Sequence, residues 1–167
     1  MYVANVPNSG YFGPMSSDGI RALAARQLKR HSRVLAKRQL TDLPERLQEG
    51  EHVVHLAFAN RGTRCNLLAA TDRRLLVLYG RRSDQPDALP YDSMRSMAAH
   101  RARILGSSIE IGTESGEVVL SGIREQFEEM CRLIHARIWE ADVARLGEHA
   151  TINARTLVGR GGFTQLA

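Results

Sequence analysis

The sequence predicts an α+β fold: seven short antiparallel strands closed by one amphipathic helix, with a basic helix in front. Three observations carry this reading. Between His52 and Gly122, short apolar segments alternate with turn chemistry at roughly ten-residue spacing. After Gly122 the apolar period lengthens to that of a helix. Ahead of both lies an arginine-rich stretch with neither proline nor interior glycine from Ile20 to Leu40. The 167 residues suit one domain with room for a core.

The opening residues 1–16 lack a positively charged leader and an apolar core segment, so they predict a flexible arm rather than a signal peptide. Residues 17–42 form a basic amphipathic segment. Ile20, Leu23, Ala24, His31, Val34 and Leu35 recur at helical spacing and predict one helix over about 18–39, capped by Ser17. Gln27 interrupts that stripe. Pro44 is expected to break the helix, and Gly50 to stop the further turn or two of helix beyond it.

Seven strand segments come next: HVVHLAFAN, RCNLLAAT, RLLVLYG, ALPY, SMRSMAAHR, GSSIEIGT and EVVLSG. TESGE reads as a short hairpin loop containing glycine. The closing helix is expected over about 123–146, ending near Gly147. Ile123, Phe127, Met130, Ile134, Ile138 and Ala141 make its buried face. Trp139, Val143 and Leu146 extend the apolar surface to another side and are candidate interface residues. Residues 148–167 are expected to be a flexible tail, with a strand over 152–158 as the lesser alternative.

The net charge of +5 is uneven. Residues 17–40 set seven cations against the single Asp18, while the rest of the chain is near neutral. Arg21, Arg26, Lys29, Arg30, Arg33, Lys37 and Arg38 are therefore the candidate polyanion contacts, for an anionic membrane first and nucleic acid second. The competing reading has this helix packed on its own domain with its charges in water. Seven phosphate contacts would bring steep salt dependence, yet no helix-turn-helix, zinc finger or aromatic platform is present.

Cys65 and Cys131 have neither metal nor redox spacing and are expected to be reduced, buried thiols of a cytoplasmic protein. No catalytic motif appears. His52 and His55, three apart on a strand, fall on opposite faces. Glu110 and Glu117 approach across a hairpin, where carboxylates are usually solvated. The expectation is no enzyme, no metal and no cofactor.

LPERLQEGEHVVHLAFA, LLAATDRRLLVLYG, LPYDSMRSM and FEEMCRLIHARI, in this order, resemble bacterial pleckstrin-homology-like (PH-like) domains, the YokE-like group among them. The resemblance covers roughly residues 43–140, within a domain expected over 43–147, and implies a seven-stranded antiparallel β-barrel or roll capped by a C-terminal α-helix. Phosphoinositide-binding members share a basic first hairpin loop with lysine. Here that loop holds Arg61 and Arg64 and no lysine, so only the fold carries over.

The resemblance places Arg73 and Arg74 at the hairpin between RCNLLAAT and RLLVLYG. They join Arg61 and Arg64 as candidate loop anion contacts, against the plainer reading of solvated turn charges. Leu75, Val77 and Tyr79 face one side of that strand, Leu76 and Leu78 the other. The strand is therefore covered on both sides, or it exposes Leu76 and Leu78 as an association patch. The function expected is an interaction module that self-associates and binds a protein partner. The alternatives are a peripheral protein of anionic membranes and a nucleic-acid binder.

Overall fold

The computed structural model describes residues 16–61, 64–80, 87–102 and 106–160; of Asn60, Arg61, Arg64, Asp87 and residues 148–160 it describes the backbone. Three helices, α1 (Ser17–Gln27), α2 (Arg30–Leu35) and α3 (Lys37–Arg46), precede the strands. Strands β1 (Val53–Arg61), β2 (Arg64–Thr71), β3 (Arg74–Leu78), β4 (Asp87–Pro90), β5 (Met94–His100), β6 (Ser107–Thr113) and β7 (Gly116–Glu125) lead into α4 (Phe127–Arg160). All seven strands form where the alternation and turn residues predict them.

The strands make one antiparallel sheet in the order β4-β3-β2-β1-β7-β6-β5. Two meanders, β1 to β4 and β5 to β7, join through β1 and β7, whose pairing is limited to Phe58↔Glu125 and Ala59↔Ile123. β4 and β5 lie at the two ends of the order, so the sheet is not closed. The seven antiparallel strands and the helix after them match the expected α+β architecture.

One face of the sheet packs under α4. Ala57, Ala59, Leu68, Ala70, Leu75 and Val77 meet Ile109, Ile111, Met130, Ile134 and Ile138 there. Two contacts pin the helix at the β4–β5 corner. Arg137 lies over the Tyr91 ring at 6.0 Å, and Arg145 Nη2 donates to the Asp92 carbonyl at 2.5 Å. Gly106 and Gly122, at φ +82° and +77°, bring two backbones so close that a Cβ on Gly106 would sit 2.8 Å from Gly122. Alanine there would meet both steric strain and a backbone clash.

The opposite face of β1 to β3 carries a second core. Leu56, Phe58, Leu67, Ala69, Leu76 and Leu78 pack against Ile20, Leu23, Ala24, Leu28, Ala36 and Leu43 of the N-terminal helices. This accounts for the near-continuous apolar runs in β2 and β3, because a strand covered on both faces has no polar side. The candidate patch at Leu76 and Leu78 is thereby corrected. Both are buried, at 1% and 5% exposure, beneath the chain's own helices. Each such burial contributes about 1.5–3 kcal/mol.

Several helix expectations are corrected as well. The single helix over 18–39 is three helices. Leu28 and Lys29 are extended, at ψ 141° and 156°. Ser16, rather than Ser17, caps α1 by accepting the Gly19 N–H at 3.2 Å. Pro44 lies inside α3. It forfeits one backbone bond, but fully buried Leu43 holds the turn against the sheet. α4 passes Gly147 and continues to Arg160, so the backbone of residues 148–160 is helical where a tail was expected. The arm expected over 1–16 lies outside the described residues apart from Ser16.

Candidate interaction surfaces

The break between α1 and α2 is made by residues nearly a hundred positions away. Glu125, at the end of β7, is buried. Its Oε2 accepts the Lys29 backbone N–H at 2.8 Å, and its Oε1 accepts the Ser32 hydroxyl at 2.7 Å. His31 Nε2 stands 3.6 Å from the same carboxylate. Gln126 Nε2 donates to the Gln27 carbonyl at 2.8 Å. Gln27 Oε1 in turn accepts the Leu56 N–H of β1 at 2.8 Å. The residue that interrupted the apolar stripe is thus a polar clip between α1, β1 and the start of α4. Gln39 adds another, donating to the Cys65 carbonyl at 2.9 Å.

This docking sorts the seven candidate cations. Ser32 and Ala36 face inward, so Val34 and Leu35 face out at 67% and 51% exposure, contrary to their expected place on the buried stripe. Arg21 pairs with Asp18 and Arg38 with Asp42, each at 3.6 Å. Arg33 is half-buried, with Nε lacking a partner among the described residues. Arg26, Lys29, Arg30 and Lys37 are exposed.

The two turn arginines part company. Arg73 is exposed. Arg74 donates from Nε and Nη2 to the Glu51 carboxylate at 2.9 and 2.8 Å, and from Nη2 to the Arg46 carbonyl at 3.0 Å. It is a clamp between the β2–β3 turn and the end of α3, which corrects its candidacy as an anion contact. Burial alone pushes the Glu51 carboxyl up. Arg74, the Gln48 amide and the Thr71 hydroxyl outweigh it and hold that group below its usual value. Thr71 Oγ1 also accepts the Arg73 and Arg74 N–H groups at 3.1 and 2.9 Å, which fixes a turn without glycine. Of Arg61 and Arg64 only the backbone is described.

Trp139, Val143 and Leu146 are exposed at 67%, 50% and 70%. They are spaced i, i+4, i+7 on the side of α4 away from Ile134 and Ile138, which the sheet buries. They form one apolar stripe.

The groups weighed for chemistry are dispersed. His52 precedes β1 and donates its N–H to Asp72 at 3.0 Å. His55 is buried in β1 beneath α4, and desolvation lowers its pKa. Glu117 pairs with Gly112 rather than Glu110, whose carboxylate lies 3.2 Å from His100. Cys65 and Cys131 are free and half-buried rather than buried. Among the described residues no three His, Cys, Asp or Glu side chains are grouped to hold a metal. No described helix is long and apolar enough to cross a membrane.

A cleft of about 530 Å³ opens between Arg101, Gly106, Arg124 and the first turns of α4. Two of its arginines are taken up by glutamates, Arg101 by Glu128 and Arg132 by Glu129. A smaller pocket of about 160 Å³ lies among Ala59, Asn66, Leu68, Val77 and Leu120.

No protein-family model matches the sequence and no curated protein matches it. Among solved structures, the chain is similar to a pleckstrin homology domain from Shewanella amazonensis SB2B, at 13% identity and a TM-score of 0.47, over 62% of this chain and 87% of that one. It is also similar to the C-terminal domain of an unknown protein from Leishmania infantum, at 15% identity and a TM-score of 0.44, over 64% of this chain and 95% of that one.

Proposed function

We propose that this protein is a non-enzymatic interaction module that associates with a second copy of itself through α4. The exposed Trp139, Val143 and Leu146 stripe carries the reading. Three large apolar side chains on one helical side stay in water unless another surface covers them. The helix bearing them continues to Arg160, giving a partner helix length to lie along. In sequence, the 4-3 spacing of residues 139, 143 and 146 extends to Ala150, Asn153 and Leu157, the pattern of a helix–helix seam. A tryptophan at such a seam is the type of residue that dominates interface energetics.

Light scattering on the full chain across a dilution series tests this. The expected result is a dimer that dissociates on dilution, and a monomer throughout for Trp139→Glu/Leu146→Glu with unchanged circular dichroism. A wild-type monomer at every concentration would overturn it, as would a dimer untouched by the double substitution. Removing residues 17–46 is no substitute experiment. It uncovers Leu76, Leu78 and Phe58 and would create an apolar surface the intact chain lacks.

A further inference from the structure

We propose that the corner formed by α2 and the start of α3 is a docking surface for an anionic membrane. It does not rest on the self-association reading and uses a different part of the molecule. Two features coincide there. Val34 and Leu35 project into solvent at 67% and 51% exposure. Around them stand Lys29, Arg30, Arg33, Lys37 and Arg38, with no acidic residue between positions 29 and 38. Asp42 lies 3.6 Å from Arg38, and the Glu125 carboxylate, 3.6 Å from His31, is buried beneath α2.

The buried staple explains why these side chains point outward. Glu125 holds Ser32 at 2.7 Å and the Lys29 N–H at 2.8 Å, so the inward side of α2 is set by Ser32 and Ala36. Val34, two residues past Ser32, falls on the opposite side of the helix. Arg30 lies one turn before it on α2, and Lys37 opens α3 just beyond it. The result is a short apolar tip with exposed Lys29, Arg30 and Lys37 close in sequence, on a helix stapled to the end of β7.

Such a tip matches the boundary between lipid headgroups and acyl chains. Cations meet anionic headgroups while Val34 and Leu35 enter the upper acyl region. The long apolar stripe of the N-terminal helices is already spent on the sheet, so insertion is limited to these two side chains. Binding is therefore shallow, reversible and sensitive to salt. A nucleic acid fits less well. Val34 and Leu35 would lie against phosphates, and residues 17–46 contain no Phe, Tyr or Trp on which a base could stack.

The test is co-sedimentation of the full chain with phosphatidylcholine vesicles, with and without phosphatidylserine, at low and physiological salt. Binding is expected only with phosphatidylserine, and it weakens as salt rises. Each cation near the surface is worth roughly fivefold in binding, so Arg30→Gln/Lys37→Gln should weaken it about 25-fold. Val34→Ser/Leu35→Ser should weaken it several-fold with the charge unchanged. Arg132→Gln, in the cleft beside α4, should leave it unaltered.

All four side chains changed at the corner are exposed, so native circular dichroism is expected and is checked first. Running the series in the Trp139→Glu/Leu146→Glu background separates this outcome from any change of oligomeric state. The proposal is overturned by absence of binding at low salt, or by binding indifferent to both double substitutions. Tighter retention by duplex DNA than by the anionic vesicles at equal salt would also overturn it and assign the corner to nucleic acid.

Discussion

Glu125 and Ser32 meet at 2.7 Å across 93 residues of sequence, and that contact joins the N-terminal helices to the sheet. The same carboxylate takes the Lys29 N–H, so one buried side chain satisfies the N-terminus of α2 and ends the extended link after α1. Helix starts leave backbone N–H groups without partners, and a carboxylate is the strongest acceptor a protein can place there. α2 has no side-chain cap of its own. Its cap is supplied by the sheet.

Glu125→Ala should therefore cost about 2–4 kcal/mol in urea unfolding, because it strands a part-buried N–H and a buried hydroxyl. Glu125→Gln keeps an acceptor and should cost about half as much. The alanine variant should also be cut faster by trypsin between Arg26 and Arg38, with the sheet body resisting. A variant that loses stability without that local opening would mean the staple is not what holds the helices down.

Arg73 and Arg74 are adjacent and chemically identical, yet only Arg74 is clamped, with its side chain 16% exposed against a Glu51 side chain at 0%. Arg74→Ala leaves a buried carboxylate without its cation and should cost about 3–5 kcal/mol. Arg73→Ala should stay within about 0.5 kcal/mol. Replacing the pair together, Glu51→Leu with Arg74→Met, should recover most of the loss. The sign of the pH effect comes from the depressed Glu51 pKa. Its contribution is present above the ordinary value of 4.5 and is lost as pH falls through the lower folded value. Denaturation curves for the wild type and these variants decide it; equal losses at the two arginines would contradict the clamp.

The strands and the closing helix were legible because their determinants are local: alternation, turn residues, and a clean 3.6-residue period from Phe127 to Ile138. The basic segment was not. Its first break, after Gln27, is set by Glu125 and Gln126, which no window around residue 28 contains, so tertiary hydrogen bonds override a continuous helical pattern. One sign was present all the same. Gln27 broke the apolar stripe, and a polar residue on a buried face has to find partners. Arg74 could not be told from Arg73 by type, only by its distance to Glu51. Gly147 looked like a helix end. In the structure a side chain there would meet open space, so α4 runs through at the modest cost of an exposed helical glycine, about 1 kcal/mol.

His55 gives the fold a sensitivity to mild acid. Its side chain is buried in β1 beneath α4, and Nε2 has no partner among the described residues. Desolvation disfavours the charged imidazolium and lowers the pKa, more than the Glu129 charge and the Gln126 backbone contact raise it. The unfolded chain takes up this proton near 6.5, while the folded chain takes it up only at lower pH. Stability therefore rises with pH through that window and falls as pH drops below 6.5, by at most about 1.4 kcal/mol per pH unit. His55→Leu, apolar and of similar size, should flatten that part of the curve. Glu129→Gln removes a raising influence, lowers the folded pKa further, and should extend the loss to more acid pH. Urea unfolding of the three proteins from about pH 5 to 8 reads the differences, and a wild-type slope matching that of His55→Leu would show that His55 is not the group responsible.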